Sequence, residues 1–389
     1  MIECRKYLLH TKRDDVAMSV NDSNDAKRTI NTIQALRGIA ALMVVLVHFK
    51  VYFNMPFYNF GDALFSYGGM GVPLFFIISG FVMTYTHNRT GVHESILFII
   101  KRFSRVYPLY FIATILWLIV LKYSVPTAHE FDNYTDIIKS LLFYPLDARN
   151  APNLGLSSLF VGWTLNYEMF FYAVFAVSLA FNRWMWTVFS LAFMTILYII
   201  PSIFSSFSFV TEVDYGFSVA YMSLVTNPII INFLAGVLIA KLVDFVDFSK
   251  VSKSSLTWLV FAVVTAFAWQ YFSGFRAGWG FLQWGLVSAA LVFVCVIYES
   301  RFGFVCAPLT YLGSISFSVY LLHPFVKELL QIIFIESGHE EYAGGPLMGL
   351  LIVSSTILVA HVSRNFIEVW LSNKVRDFLL TRSMIAKIA

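Results

Sequence analysis

The sequence predicts an all-α, polytopic integral membrane protein, a bundle of about ten transmembrane helices. Of its 389 residues, 58% are hydrophobic and only 13% are charged, and the mean hydropathy is +0.72. Because soluble domains carry about 25% charged residues, the apolar surface of this chain needs a bilayer as its solvent. The 40 phenylalanines, within an aromatic content of 18%, are typical of lipid-facing helices with interfacial aromatic belts.

Apolar runs of about 20 residues divide the chain into spans. We predict spans over residues 30–53, 70–87, 103–121, 157–181, 184–204, 217–240, 255–273, 280–298, 307–335 and 346–371. The run 136–146 is too short to cross a bilayer, so we expect it to be interfacial or re-entrant. Pro324 interrupts the long ninth run, and a kink or a tilt is expected there.

The distribution of Lys and Arg predicts the orientation and the domain organisation. With the N-terminus in the cytoplasm, twenty of the 27 basic residues fall in inner segments, five fall in outer segments and two lie within spans. The positive-inside rule therefore places both termini in the cytoplasm, with the chain in the plasma (bacterial inner) membrane. We expect residues 1–29 to form a disordered cytoplasmic tail, residues 30–371 the membrane domain and residues 372–389 a cytoplasmic C-terminal tail.

Several functional classes are disfavoured by what the sequence lacks. The basic residues are spread through short loops rather than clustered on one face, so we expect no nucleic-acid partner. Cys4, Cys295 and Cys306 have no metal-ligand spacing, which predicts free thiols and no metal site. The chain has no P-loop and no dinucleotide fingerprint, and no bound cofactor is expected.

Ionisable residues within the spans are the first candidates for function, because each costs about 2.5–3.5 kcal/mol on insertion scales. Arg37 and His48 lie eleven residues apart in the first span, which places them on one helix face with a rise of about 16 Å between them. Separately, Arg37 could be a positive-inside anchor and His48 an interfacial histidine. Their shared face instead predicts an anion site near the cytoplasm and a general base further out.

Two more spans carry charged candidates. Arg102 and Arg105 stand three residues apart at the inner boundary of the third span. Their guanidinium groups suit bidentate binding of phosphates, although topogenic charge or lipid head-group contact explains them as well. Glu168, within the apolar fourth span, is predicted to orient His48 as its hydrogen-bond partner. A proton-relay carboxylate and a structural hydrogen bond are the alternatives.

A second group of candidates is supported less directly. Trp163, Asn166 and Tyr167 share the span of Glu168, and Ser79 lies in the glycine-containing second span. We predict that these side chains contribute to substrate binding, with Asn166, Tyr167 and Ser79 as candidate oxyanion donors. Interfacial belts and close helix packing are the structural explanations for the same residues. His323, directly before Pro324, is a candidate pocket residue.

Together these segments resemble the acyltransferase-3 family of membrane O-acyltransferases, and especially its branch linked to exopolysaccharide production. The resemblance covers about residues 30–371. It rests on five runs in order: Arg-x10-His of Arg37 and His48, GV-x-LFF-x-ISGF around Ser79, the R-x-x-R of Arg102 and Arg105 followed by Pro108, GWTLNYEMFFY ending near Tyr172, and LGSISFSVYLLHPFV. One departure is Pro73, where the family commonly has an acidic or polar residue.

The resemblance implies transfer of an acyl group, usually acetyl, from cytoplasmic acyl-CoA to a carbohydrate hydroxyl. Arg37, Arg102 and Arg105 would hold the CoA phosphates, and His48 would be catalytic. The expected partners are acyl-CoA, a carbohydrate acceptor and the lipid bilayer. The alternative is a proton-coupled transporter or flippase of lipid-linked sugars, in which the same residues would form a proton relay and a substrate clamp.

Overall fold

The computed structural model describes residues 30–55, 57–124, 133–303 and 306–385. The predicted N-terminal tail, Cys4 and the last four residues lie outside this part of the chain. The helices, in chain order, are α1 Asn31–Phe49, α2 Phe60–Phe65, α3 Gly71–Thr86, α4 Val92–Ser124, α5 Tyr134–Leu141, α6 Trp163–Leu179, α7 Met185–Met194, α8 Ile200–Phe204, α9 Ala220–Val225, α10 Ile231–Phe245, α11 Lys253–Ser273, α12 Leu286–Phe302, α13 Ala307–Ser314, α14 Ser316–Glu336, α15 Gly345–Ser363 and α16 Ser372–Ile385.

The prediction of an all-α membrane bundle is confirmed. Within the described residues, nine helical segments are long and apolar enough to cross a membrane. They are Asn31–Phe53, Phe60–Thr86, Val92–Ser124, Asn182–Phe204, Ala220–Phe245, Lys253–Ser273, Phe281–Phe302, Ser316–Glu336 and Gly345–Arg382. The predicted span 157–181 corresponds to α6, a 17-residue helix that begins only after the 3₁₀ turn Phe160–Gly162. Its burial within the bundle is consistent with a short element that places side chains in the interior.

The predicted kink or tilt at Pro324 stays a prediction, and the structure adds an interruption of the same run that was not predicted. The interruption lies at Ile315, between α13 and α14, and α14 continues as a helix through Pro324. At the interruption, α13 passes very close to α1: a Cβ added to Gly313 would lie 1.8 Å from the carbonyl oxygen of Gln34. This backbone contact, and not the proline, marks the end of the first segment.

The C-terminal region is also more regular than expected. A π-helical turn, Arg364–Leu371, joins α15 to α16, so the helix continues through the described part of the predicted tail. Cys295 and Cys306 are free thiols, as predicted. The short helix α5 corresponds to the run that the sequence marked as unable to cross a bilayer.

Helix α1 is packed among its neighbours, and its start and its middle are held by contacts with α12 and α13. The carboxylate of Glu299 on α12 accepts hydrogen bonds from the free backbone N–H groups of Asn31 and Thr32, at 2.8 and 2.6 Å. A negative group at this position also complements the positive end of the helix dipole. In the middle of α1, Gly38 approaches the backbone of α13.

Stacked aromatic rings join several helices of the core, whereas most side chains of α11 are not buried. Phe233 stacks on Phe76 and Phe171 with ring centroids 4.4 and 4.6 Å apart, which joins α10 to α3 and α6. In contrast, only Leu256 and Gln270 of α11 are buried. An apolar helix that is exposed on nearly every side requires lipid around it.

Close packing of α3 against α10 generates a stability prediction. A Cβ at Gly80 would lie 2.1 Å from the carbonyl oxygen of Phe233, and one at Gly236 would lie 2.0 Å from that of Ile77. Backbone atoms cannot move aside as a flexible side chain can. We expect Gly80→Ala and Gly236→Ala to lower the free energy of unfolding by at least about 1–3 kcal/mol.

Thermal unfolding in detergent, followed by tryptophan fluorescence, measures this effect. Gly344→Ala is the matched control, because Gly344 has an extended backbone and no atom within 4 Å of an added Cβ. Variants at Gly80 or Gly236 as stable as the Gly344 variant would contradict the packing argument.

Candidate active site

Three arginines from two helices line one cavity in the bundle. Arg37 of α1 and both Arg102 and Arg105 of α4 face a space with about 830 Å³ unoccupied by atoms, part of it open to the outside. The predicted convergence of these residues is therefore seen in the structure. We call this space the arginine cavity.

The three arginines of the cavity form no direct ion pairs with other described residues. Among the described residues, none of the three guanidinium groups lies within ion-pair distance of a carboxylate. Arg37 makes a long hydrogen bond of 3.5 Å to Gln34, and Arg102 lies over the rings of Phe98 and Tyr172 at 5.5 and 5.3 Å. Guanidinium groups that form no ion pair are well suited to receive an anionic ligand.

Glu168 belongs to the arginine cavity and not to His48, so the predicted pairing of these two residues is not seen. Its Oε1 atom accepts a hydrogen bond from Ser79 at 2.9 Å and another from the hydroxyl of Tyr172. Both Ser79 and Tyr172 line the cavity with Glu168. The carboxylate is thus the negative group beside three positive ones.

The depth of α6 explains this difference. The ring of Phe160, in the turn that precedes α6, lies 5.2 Å from the ring of His48. Glu168 comes eight residues later and therefore lies about 12 Å further along the helix. The prediction measured the depth of Glu168 from the start of the predicted span at residue 157, whereas helix α6 begins only at Trp163, deeper in the bundle.

His48 has a different partner, His323. The Nδ1 atom of His48 lies 2.8 Å from the carbonyl oxygen of Val44 and 3.2 Å from Nε2 of His323. His323 is fully buried, whereas His48 is exposed to accessible space beside Phe160. His323 was predicted as a pocket residue, and the structure places it directly against the predicted catalytic base.

Trp163, Asn166 and Tyr167 do not line the arginine cavity. On α6 the positions four residues apart, 164, 168 and 172, face the cavity, so these three side chains point elsewhere. Tyr167 donates a hydrogen bond to the carbonyl of Pro152 at 2.8 Å, and its ring contacts the ring of Trp163. Asn166 is buried. These three residues therefore lie outside the arginine cavity, and their predicted binding role stays a prediction.

Tyr320 is a site residue that the sequence reasoning missed. It lines the arginine cavity, and its ring centroid lies 6.3 Å from that of His323. Its hydroxyl lies 2.9 Å from both the Thr164 hydroxyl and the Val161 carbonyl. Tyr320 therefore stands between the cavity and the histidine pair. The sequence feature that could have identified Tyr320 is its position three residues before His323, on the same helix face.

The fold and the site define a helical membrane protein in which an arginine-lined cavity adjoins an accessible histidine. The chain belongs to the acyltransferase family, because the acyltransferase domain matches residues 30–363. No solved structure matches the chain.

Three relatives are similar to parts of this chain. The exopolysaccharide production protein ExoZ of Rhizobium meliloti (strain 1021) is 32% identical over 182 residues, which are 46% of this chain and 51% of ExoZ. Protein 2 in the picA locus of Rhizobium radiobacter is 28% identical over 37% of this chain and 79% of its own length. The putative acetyltransferase ORF330 of Acidianus two-tailed virus is 32% identical, over 36% of this chain and 38% of its own. The match thus spans about half the length of ExoZ.

A third histidine, His87, lies beside the arginine cavity in the turn between α3 and α4. Its ring contacts Phe98 and Phe175 edge to face, at 4.9 and 6.0 Å between centroids. Burial, and after it the positive charge of Arg102, together lower the pKa of His87 to about 4. The folded protein therefore holds this ring neutral at pH 7.

This shift makes stability depend on pH. An unfolded histidine titrates near pH 6.5, so the contribution is fully present above about pH 6.5 and is lost as the pH falls towards about 4. We expect His87→Phe to reduce the loss of thermal stability between about pH 7 and about pH 5. His93→Phe, at a half-exposed position in the first turn of α4, is the control. Equal pH dependence in wild type and the His87 variant would contradict the assignment.

Proposed function

We propose that this protein transfers an acyl group, in particular acetyl, from cytoplasmic acyl-CoA to a hydroxyl of a carbohydrate. The observation that carries the proposal is the two-ended site on α1. Arg37 contributes to the arginine cavity, and His48, about 16 Å further along the same helix, lies in accessible space. One end suits an anionic donor and the other suits proton transfer.

The donor end is argued from charge. Acyl-CoA carries several negative phosphate groups and a flexible pantetheine arm that ends in the thioester. Three guanidinium groups against one carboxylate leave the cavity positive, which favours the phosphates. The aromatic and aliphatic wall formed by Phe75, Val106 and Phe317 suits the arm. Glu168 holds Ser79 and Tyr172 in place at this end.

The chemical end is argued from hydrogen bonding. A carbonyl oxygen only accepts, so the proximity of Val44 O indicates that Nδ1 of neutral His48 carries the proton. Nε2 is then an available base. It takes the proton of the acceptor hydroxyl while that oxygen bonds to the acyl carbon, the carbon–sulfur bond breaks, and the proton passes to the leaving thiolate. Alternatively Nε2 takes the acyl group itself before the hydroxyl does.

The acceptor class is supported by the names of the relatives. ExoZ is an exopolysaccharide production protein, and ORF330 is a putative acetyltransferase. We therefore propose an acceptor such as an exopolysaccharide, a lipopolysaccharide or a lipid-linked sugar precursor. The arginine cavity would open to the cytoplasm and the protein would reside in the bacterial inner membrane, with both termini cytoplasmic.

The alternative of a proton-coupled sugar transporter is less well supported by the geometry. A relay needs groups that both accept and release protons. Nδ1 of His323 is hydrogen-bonded to the Tyr320 carbonyl, which cannot pass a proton on. Glu168 lies about 12 Å from the level of His48, so the two do not form a chain.

The central test is transfer of radiolabel from acetyl-CoA to glycan in membranes that contain this protein. We expect His48→Ala to lower the rate by at least about 100-fold, because it removes the general base. His339→Ala, at an exposed position in the loop after α14, is the matched control and should retain activity. Transfer at the wild-type rate by the His48 variant would contradict the catalytic assignment. No label in any sample, across several donors and glycans, would favour the transporter.

The donor site has its own test. We expect Arg102→Ala or Arg105→Ala to raise the apparent KM for acyl-CoA about 10- to 100-fold, since each removes charge-assisted hydrogen bonds to phosphate. Lys101→Ala is the control, because Lys101 is an exposed neighbouring cation that does not line the cavity. A similar KM in all three variants would refute the phosphate-binding role.

A further inference from the structure

Pro324 leaves one backbone carbonyl of α14 without its helical partner. In an α-helix the N–H of each residue bonds to the carbonyl four residues earlier, and proline has no N–H. The carbonyl of Tyr320 therefore lacks the donor that residue 324 would supply. Unpaired carbonyls inside a membrane bundle are costly, so this oxygen needs another donor.

His323 supplies that donor. Its Nδ1 atom lies 2.8 Å from the Tyr320 carbonyl oxygen, and the ring is fully buried. Because a carbonyl only accepts hydrogen bonds, Nδ1 of His323 carries the proton. In a neutral imidazole the other nitrogen, Nε2, then has a lone pair and accepts.

The accepting nitrogen of His323 points at His48. Nε2 of His323 lies 3.2 Å from Nδ1 of His48, which also lies 2.8 Å from the Val44 carbonyl oxygen. Both neighbours are acceptors, so one arrangement of protons satisfies all three contacts: the Nδ1–H of His48 is shared between them. His48 is thereby held with Nε2 unprotonated.

We propose that His323, set by Pro324, is a positioning residue that selects the tautomer of His48 for acyl transfer. This inference rests on the proposed function of His48 as the base. Its task matches that of the carboxylate partner in other catalytic histidine systems, here performed by a neutral ring. When Nε2 of His48 takes the acceptor's proton, the Nδ1–H bonds remain and help to stabilise the imidazolium ion.

The apolar surroundings of His323 are consistent with a neutral side chain as the partner of His48. His323 packs edge-on against Phe49 at 5.6 Å, and Phe160 borders both histidines. A carboxylate in this setting would need its own hydrogen-bond donors or a cation. An imidazole whose donor is already used by a backbone carbonyl has no such need.

The test compares two substitutions at one position. His323→Gln keeps a carbonyl acceptor and an amide donor on one side chain, whereas His323→Phe keeps the ring and removes both. We expect the Phe variant to lower kcat about 10- to 100-fold, through loss of a hydrogen bond to a charged group, with KM for acetyl-CoA unchanged. The Gln variant should recover most of kcat. Equal kcat in both variants, or a rise in KM alone, would overturn the positioning role.

A spectroscopic readout separates this inference from the proposed function. Nitrogen NMR of ¹⁵N-histidine-labelled protein in lipid distinguishes protonated from unprotonated ring nitrogens, whether or not the protein transfers acyl groups. We expect protonated Nδ1 and unprotonated Nε2 in both His48 and His323. His323→Phe should mix the His48 tautomers, and Pro324→Ala, which returns an N–H to the Tyr320 carbonyl, should mix those of His323. Unchanged His48 signals in the Phe variant would refute the proposal even where transfer is confirmed.

Discussion

The site depends on one constraint, which is that helix α1 is held in place by contacts with its neighbours. Arg37 and His48 keep their separation because both lie on one rigid helix. That helix is held at its start by the carboxylate of Glu299 and along its length by backbone contacts through Gly38, Gly68 and Gly71. A Cβ at Gly68 would lie 2.1 Å from the Met43 carbonyl, which shows how closely the segment before α3 follows α1. The two ends of the site therefore move as one body.

Around this helix the polar groups divide into two separate networks. One contains the three arginines, Glu168, Ser79 and Tyr172, and its character is electrostatic. The other contains His48 and His323, and it consists of neutral rings hydrogen-bonded to backbone carbonyls. Tyr320 stands between them: its backbone carbonyl accepts the hydrogen bond of His323, and its hydroxyl is bonded to Thr164 and to the Val161 carbonyl. This separation limits the repulsion between the positive charge of Arg37 and a proton on His48, because the two residues stand about 16 Å apart along α1.

The sequence was sufficient for much of this organisation and insufficient for specific pairings. Hydropathy located the helices, and helical spacing placed Arg37 with His48 and Arg102 with Arg105, because these inferences need only the geometry of one helix. Pairings between helices depend on where each helix begins. The assignment of Glu168 to His48 failed because α6 starts within the bundle, after Phe160–Gly162. The interruption at Ile315 was missed because it arises from contact with another helix.

Within the proposed function, the same geometry bears on how an acyl group would cross the membrane. In a transporter, the substrate is released only after the protein changes its shape around the site. Here the donor's phosphates and the reacting carbonyl would occupy opposite ends of a helix that is held by its neighbours throughout. The pantetheine arm is long and flexible, so it can carry the thioester past Tyr320 while the phosphates stay on the arginines. The acyl group would then be carried outward by the length of the pantetheine arm, past the Tyr320 side chain that stands between the two networks.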